Sequence, residues 1–162
     1  MTDYGQTNKR PAWKRASIWL LEKPWINAVL VGALKRIKAP AWRDRLPVMN
    51  GVGKLALKCG AITMLAPARC NVAREIWWHD GQLAESADRN ALALAIDLAR
   101  DADLFLDIGS YTGLFAISVA RCAPSIHCQA FEIVPQNFLL LWKNVIENDF
   151  ISQITCASGR SW

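Results

Sequence analysis

Asp107, Gly109, Gly113 and Glu132 are the residues whose types and spacing offer chemistry. The run Asp107-Ile108-Gly109-Ser110-Tyr111-Thr112-Gly113 directly follows the apolar triplet Leu104-Phe105-Leu106. Glu132 stands 19 residues beyond Gly113, at the end of a second predicted strand from Ile126 to Phe131. Open α/β sheets bind ligands at the carboxyl ends of their strands, where the first strand-to-helix turn sits. In such a turn Gly109 takes backbone angles closed to other residues and lets a ligand approach the main chain. Gly113 opens the next helix, whose free N–H groups and positive dipole end favour an anionic group. A carboxylate at the position of Glu132 can accept hydrogen bonds from both hydroxyls of a ribose.

The spacing separates the nucleotide classes. The dinucleotide fingerprint G-x-G-x-x-G fails, because Tyr111 and Leu114 occupy its second and third glycine positions. A phosphate-binding P-loop needs Gly-Lys followed by Ser or Thr, and Gly53-Lys54 is followed by Leu55. An acid at the strand end, before the glycines, suits a cofactor that bears an ammonium group. The pattern D-x-G-x-x-x-G with a strand-ending Glu therefore favours S-adenosylmethionine (SAM). The candidate cofactor-binding residues are Asp107, Gly109, Ser110, Tyr111, Thr112, Gly113, Glu132 and Ile133.

At these residues a family resemblance appears. The run from Phe105 to Phe115 resembles the first motif of FkbM-type SAM-dependent methyltransferases, D-[IV]-G-A-N-x-G-x-[FY]. Ala130-Phe131-Glu132-Ile133-Val134-Pro135-Gln136-Asn137 is similar to that family's F-E-P-x-P-x-N, and Asn144 and Asn148 fall where it often has N-x-x-x-N. Gly81 and Glu85 resemble the glycine and glutamate of its preceding helix. The likeness covers roughly residues 75–155. Ser110 and Tyr111 replace a small residue and Asn, and Ile133 replaces Pro. The resemblance implies methyl transfer to an oxygen of a glycan, a secondary metabolite or another small molecule. It also implies that Asp107, Gly109 and Gly113 hold the methionine end of SAM, and that Glu132 holds the ribose. No catalytic base is assigned. The family's sheet continues well past Cys156 to Trp162, so an incomplete chain, truncated at its C-terminus, is expected. A nicotinamide-dependent oxidoreductase and a non-catalytic nucleotide-binding or membrane-surface module are the competing classes.

The elements that must position this site follow from periodicity. The expected fold is α/β, a Rossmann-like parallel sheet of the SAM-methyltransferase type with only its first two or three strands present. A β-hairpin and a helical arm precede it. Residues 1–50 are read as a basic helical arm, 51–81 as a hairpin region, and 82–162 as the first half of a SAM-binding domain. From Trp13 to Ile37 the pattern is helical, broken by Pro24, with Ile26, Val29, Leu30, Ala33, Leu34 and Ile37 on one stripe. Leu55, Leu57 and Cys59 alternate with polar or small residues, as do Ile62 and Met64 after Gly60, which reads as a hairpin. Residues 68–79 are ambiguous, and Trp77-Trp78 reads as packing. From Gln82 to Arg100, Leu83, Ala87, Ala91, Leu94, Ala95 and Leu98 fall on one helical face. Leu104-Phe105-Leu106 reads as a strand buried on both faces. Helices from Gly113 to about Cys122 and from Pro135 onward then separate it from strands at Ile126–Phe131 and Ile151–Thr155, which implies right-handed parallel crossovers.

Composition sets the surroundings. The 162 residues are 52% hydrophobic and 20% charged, ordinary for a chain that buries a core. The net charge of +5 is uneven: residues 1–50 carry +7 and the rest −2. A basic arm suits an anionic surface, so membrane-surface contact is one expectation, against a solvated helix face as the plain alternative. No nucleic acid is expected. The five cysteines form no C-x-x-C pair, so no metal site is expected; Cys122 and Cys128 read as buried structural thiols, and a reduced, cytoplasmic setting is the simplest. The longest apolar stretch, Trp25 to Leu34, is about half of the roughly 20 residues a bilayer requires.

Overall fold

The structure, a computed structural model, describes residues 23–36, 46, 48–84 and 86–159. It divides into two compact units, Met1–Asn50 and Gly51–Trp162. In the first, helix α1 spans Pro24–Arg36, with Lys35 and Arg36 in its last turn, where cations complement the helix dipole. Its buried residues are Asn27, Val31 and Leu34. Of the expected stripe only Leu34 is among them: Val29 is 71% exposed and Leu30 is exposed as well. Asn27 is drawn inward because its Oδ1 accepts the Met49 N–H at 3.0 Å, a polar anchor that apolar periodicity does not register. The expected helix before Pro24 and the stripe's Ile37 lie outside the described residues.

The second unit opens with an antiparallel hairpin, β1 (Gly53–Leu57) and β2 (Gly60–Met64), paired from Gly53↔Met64 to Leu57↔Gly60. Its inward residues Leu55, Ile62 and Met64 are buried. The ambiguous stretch resolves as helix α2 (Asn71–Trp78), started by Cys70, whose Sγ accepts the Ala73 N–H at 3.3 Å. A sulfur cap is a weak signal beside the usual Ser, Thr or Asp, which is why the sequence left this helix open. Trp78 is buried and meets Trp77 edge-on at 4.9 Å.

Helix α3 (Ser86–Ala99), strand β3 (Leu104–Ile108), helix α4 (Leu114–Cys122), strand β4 (His127–Glu132), helix α5 (Pro135–Glu147) and strand β5 (Ile154–Ser158) follow. The three strands form a parallel sheet in the order β3-β4-β5. Both crossovers advance in one direction, and right-handed crossovers of that kind put both helices on the same face. The burial follows: Cys128, Ala130, Glu132 and Ile154 are covered. Phe105 pairs with Cys128 and Asp107 with Ala130, so both share that face. Leu104, Leu106 and Ile108 point the other way and are 46%, 51% and 81% exposed. The expectation that this strand is buried on both faces is therefore corrected, because α4 and α5 cover only one.

Helix α3 also turns otherwise than its periodicity implied. Leu92 and Ala99 are buried, whereas Leu94 and Leu98 remain 59% and 68% exposed. The side that packs on α4 decides the buried stripe, and two apolar stripes compete on a helix this rich in Ala and Leu. Cys122 likewise departs from its expected state as a free buried thiol. The hairpin turn brings Cys59 beside the end of α4, and the two form a disulfide with a Cα–Cα distance of 5.2 Å. Cys70 and Cys128 are free and buried. Among the described residues no helix is long and apolar enough to cross a membrane.

Candidate functional site

The turn between β3 and α4 is a chain of left-handed residues: Gly109 at φ +78°, Tyr111 at +51° and Gly113 at +87°. Main-chain bonds to the neighbouring strand hold it, since the N–H groups of Gly109 and Ser110 both donate to the Phe131 carbonyl at 2.9 Å. The two glycines have different reasons. A Cβ on Gly113 would stand 2.6 Å from Leu141 Cδ1, so that position is closed by packing of α5. A Cβ on Gly109 would meet nothing within 4 Å. The main chain at Gly109 is therefore open to a ligand.

Glu132 ends β4 beside this turn, and only 5% of it is exposed. One carboxylate oxygen accepts the Tyr111 N–H at 2.8 Å and the other accepts the Val134 N–H at 2.7 Å. A carboxylate offers about four lone-pair positions, so two remain for another donor. Asp107 lies on the covered face, and its Oδ2 accepts the Ala116 N–H at 3.1 Å in the first turn of α4. Gly113 has no side chain to cap that helix, and Asp107 caps it instead. Burial pushes the Asp107 carboxyl above its ordinary range, while the Ala116 N–H and the Ser110 side chain pull it partly back.

The remaining candidates fall into two groups. Ser110 and Thr112 are buried and turned toward protein: Ser110 Oγ donates to the Asp107 carbonyl at 2.6 Å, and Thr112 Oγ1 lies 3.4 Å from Cys70 Sγ. Tyr111 is half-buried, and Ile133 is 80% exposed directly after Glu132. The structure thus gathers Asp107, the turn and Glu132 at the carboxyl ends of β3 and β4.

Asn144 and Asn148 support the turn from behind. Asn144 Nδ2 donates to the Thr112 carbonyl at 2.8 Å while its Oδ1 accepts the Leu65 N–H at 2.8 Å. Asn148 accepts the Thr63 N–H and donates to the Thr63 carbonyl, both at 2.7 Å. The pair, one helical turn apart on α5, fastens the hairpin to the turn. Their i,i+4 spacing was visible in the sequence, but the partners 79 and 85 residues away were not. Gly81 has a related duty: its carbonyl accepts the Ala56 N–H at 3.0 Å, and a Cβ there would meet the Lys54 carbonyl oxygen at 2.7 Å. Glu85 lies outside the described residues. Among the described residues no cluster of His, Cys, Asp or Glu could hold a metal ion.

No family model matches the sequence, and no curated protein matches it. Solved structures do match the fold. A protein of Pyrococcus horikoshii assigned as a transferase aligns over 85% of this chain and 48% of its own, with a TM-score of 0.52 at 16% identity. TYW2 of the same organism, in complex with MeSAdo, aligns over 71% of this chain and 40% of its own (TM-score 0.48, 15% identity). A Staphylococcus aureus protein assigned as a caffeoyl-CoA O-methyltransferase aligns over 44% and 35% (TM-score 0.43, 24% identity). The chain spans about a third to a half of the length of these proteins. The fold that this chain shares with the Pyrococcus horikoshii transferase is a Rossmann-like α/β fold.

Proposed function

We propose that this chain carries the cofactor-binding portion of a SAM-dependent methyltransferase of FkbM type that methylates an oxygen of a small molecule, a glycan or a secondary metabolite. One observation carries the reading. The main chain at Gly109 is open where a Cβ would stand, beside the buried carboxylate of Glu132 at the adjacent strand end. These residues fit SAM. Asp107, Gly109 and Gly113 hold the methionine end, and Glu132 offers its two remaining lone-pair positions to the ribose hydroxyls. Ser110, Tyr111, Thr112 and Ile133 shape the turn and its mouth. When bound, SAM supplies a methyl group on a sulfonium centre. The protein residues contribute binding and orientation, the principal source of acceleration for an in-line displacement.

Calorimetric titration of the full chain with SAM, S-adenosylhomocysteine and NAD tests the proposal. Saturable binding of the first two, lost in Gly109→Val, is expected. Preferential binding of NAD would move the assignment to an oxidoreductase, and no binding of any of the three would remove the cofactor site.

A second reading concerns the arm. Helix α1 leaves Trp25 and Val29 each 71% exposed and ends in Lys35 and Arg36. An exposed apolar pair with cations suits an anionic membrane surface. Co-sedimentation with anionic vesicles should exceed that with neutral vesicles; equal recovery refutes the contact.

A further inference from the structure

We infer that the cleft between the hairpin and helix α3 is a second binding site, for a single-chain amphipathic carboxylate such as a free fatty acid. Its volume is about 380 Å³, within the range of small-molecule sites. Leu55, Leu83, Leu92 and Ile96 contribute its apolar lining, and the first three of these are buried elements of the core. Around it stand Lys58, Arg89 and Arg100, with Asp97 as the single acid. Asp97 lies 3.6 Å from Arg100 in an exposed ion pair, whereas Lys58 and Arg89 make no ion pair among the described residues. The lining therefore joins an apolar interior to an unbalanced positive rim, which is the complement of an acyl chain with an anionic head.

The site is separate from the cofactor turn. Cys122, which also lines it, is the last residue of α4, and Gly113 caps the opposite end. At 1.5 Å of rise per residue the nine-residue helix keeps the two about 13 Å apart. The C-terminal end of α4 carries the negative end of its dipole, so the side-chain cations, and not the helix, must hold the head group. An uncharged chain would gain only the apolar contact, and a cationic one would meet Lys58 and Arg89 with like charge.

The test is calorimetric titration of the full chain with dodecanoate, dodecan-1-ol and dodecyltrimethylammonium, each below its micelle concentration. Near-ultraviolet circular dichroism reports that tertiary structure persists. Dodecanoate should saturate a single site at least about tenfold more tightly than the other two. Lys58→Glu with Arg89→Glu should reverse that order. Ala93→Trp, an exposed lining position, should block all three by filling the cleft while SAM binding persists. Equal binding of the three amphiphiles, no saturable binding of dodecanoate, or dodecanoate binding that both variants leave unchanged would overturn the assignment.

Discussion

Glu132 accepts the Tyr111 N–H at 2.8 Å, and so ties the end of strand β4 to the middle of the β3–α4 turn. Its other oxygen holds the Val134 N–H, so one buried carboxylate organises both sides of the candidate site. Glu132→Ala removes the acceptor from two main-chain donors and the proposed ribose contact. SAM affinity should fall by about 1–3 kcal/mol, the cost of losing hydrogen bonds to a charged group. The melting temperature should fall as well, and Glu132→Gln, which keeps one acceptor oxygen, should lie between. Unchanged affinity in calorimetry would take Glu132 out of the site.

The two glycines of the turn should behave differently when substituted. Gly109→Ala adds a Cβ into open space, so its cost to folding is the left-handed backbone alone, about 1–2 kcal/mol. SAM binding should suffer more than stability. Gly113→Ala drives a Cβ to 2.6 Å from Leu141 Cδ1, and the thermal melt should fall further because that buried side chain must shift. Trp77→Phe should leave SAM binding intact. Normal SAM affinity in Gly109→Val would show that the ligand does not use this turn.

Asp107 links stability to pH. Its folded pKa is raised by burial, so the native state holds its proton more tightly than the unfolded chain, whose value is near 3.8. Its contribution favours folding at low pH and is lost as pH rises from about 3.8 through the folded pKa. Asp107→Asn keeps an oxygen for the Ala116 N–H and removes the buried charge. Denaturant unfolding should show that variant as stable as the parent or more so at neutral pH, with a flatter pH profile above 3.8. A steeper profile would contradict this account.

The thiols should divide into classes. Burial pushes Cys128 up to about 12, with the nearby Asp107 charge adding to it, and Cys156 up to about 11. At pH 8 and native conditions, iodoacetamide should leave both unmodified by mass spectrometry, since the thiolate is the reactive form. Cys59 and Cys122 should become reactive only after reduction. Rapid alkylation of Cys128 in the folded chain would disprove this ordering.

The bare face of β3 should promote self-association, because exposed apolar strands at a sheet edge template further pairing. Leu106→Lys with Ile108→Lys should raise the monomer fraction in sedimentation velocity without lowering the melting temperature, as both side chains are exposed. An unchanged distribution would show that association, if any, uses another surface.

Much of this protein is written in local pattern. The hairpin from Gly53 to Met64, the β-α-β alternation after Leu104, the turn from Asp107 to Gly113 and the strand-ending Glu132 depend on neighbours within a few residues. Period, glycine position and the Pro135 helix start therefore announce them without any knowledge of the rest. Tertiary structure decided which faces are covered. Leu94 and Leu98 look like a core stripe, and Leu104-Phe105-Leu106 looks like a buried strand, yet only packing partners distant in sequence determine burial. The same holds for the clasp of Asn144 and Asn148 on residues 63 and 65 and for the Cys59–Cys122 disulfide. Each joins groups that the chain brings together only once the sheet has formed. A sequence pattern reports what a segment prefers by itself, whereas these contacts exist only through the closure of long loops.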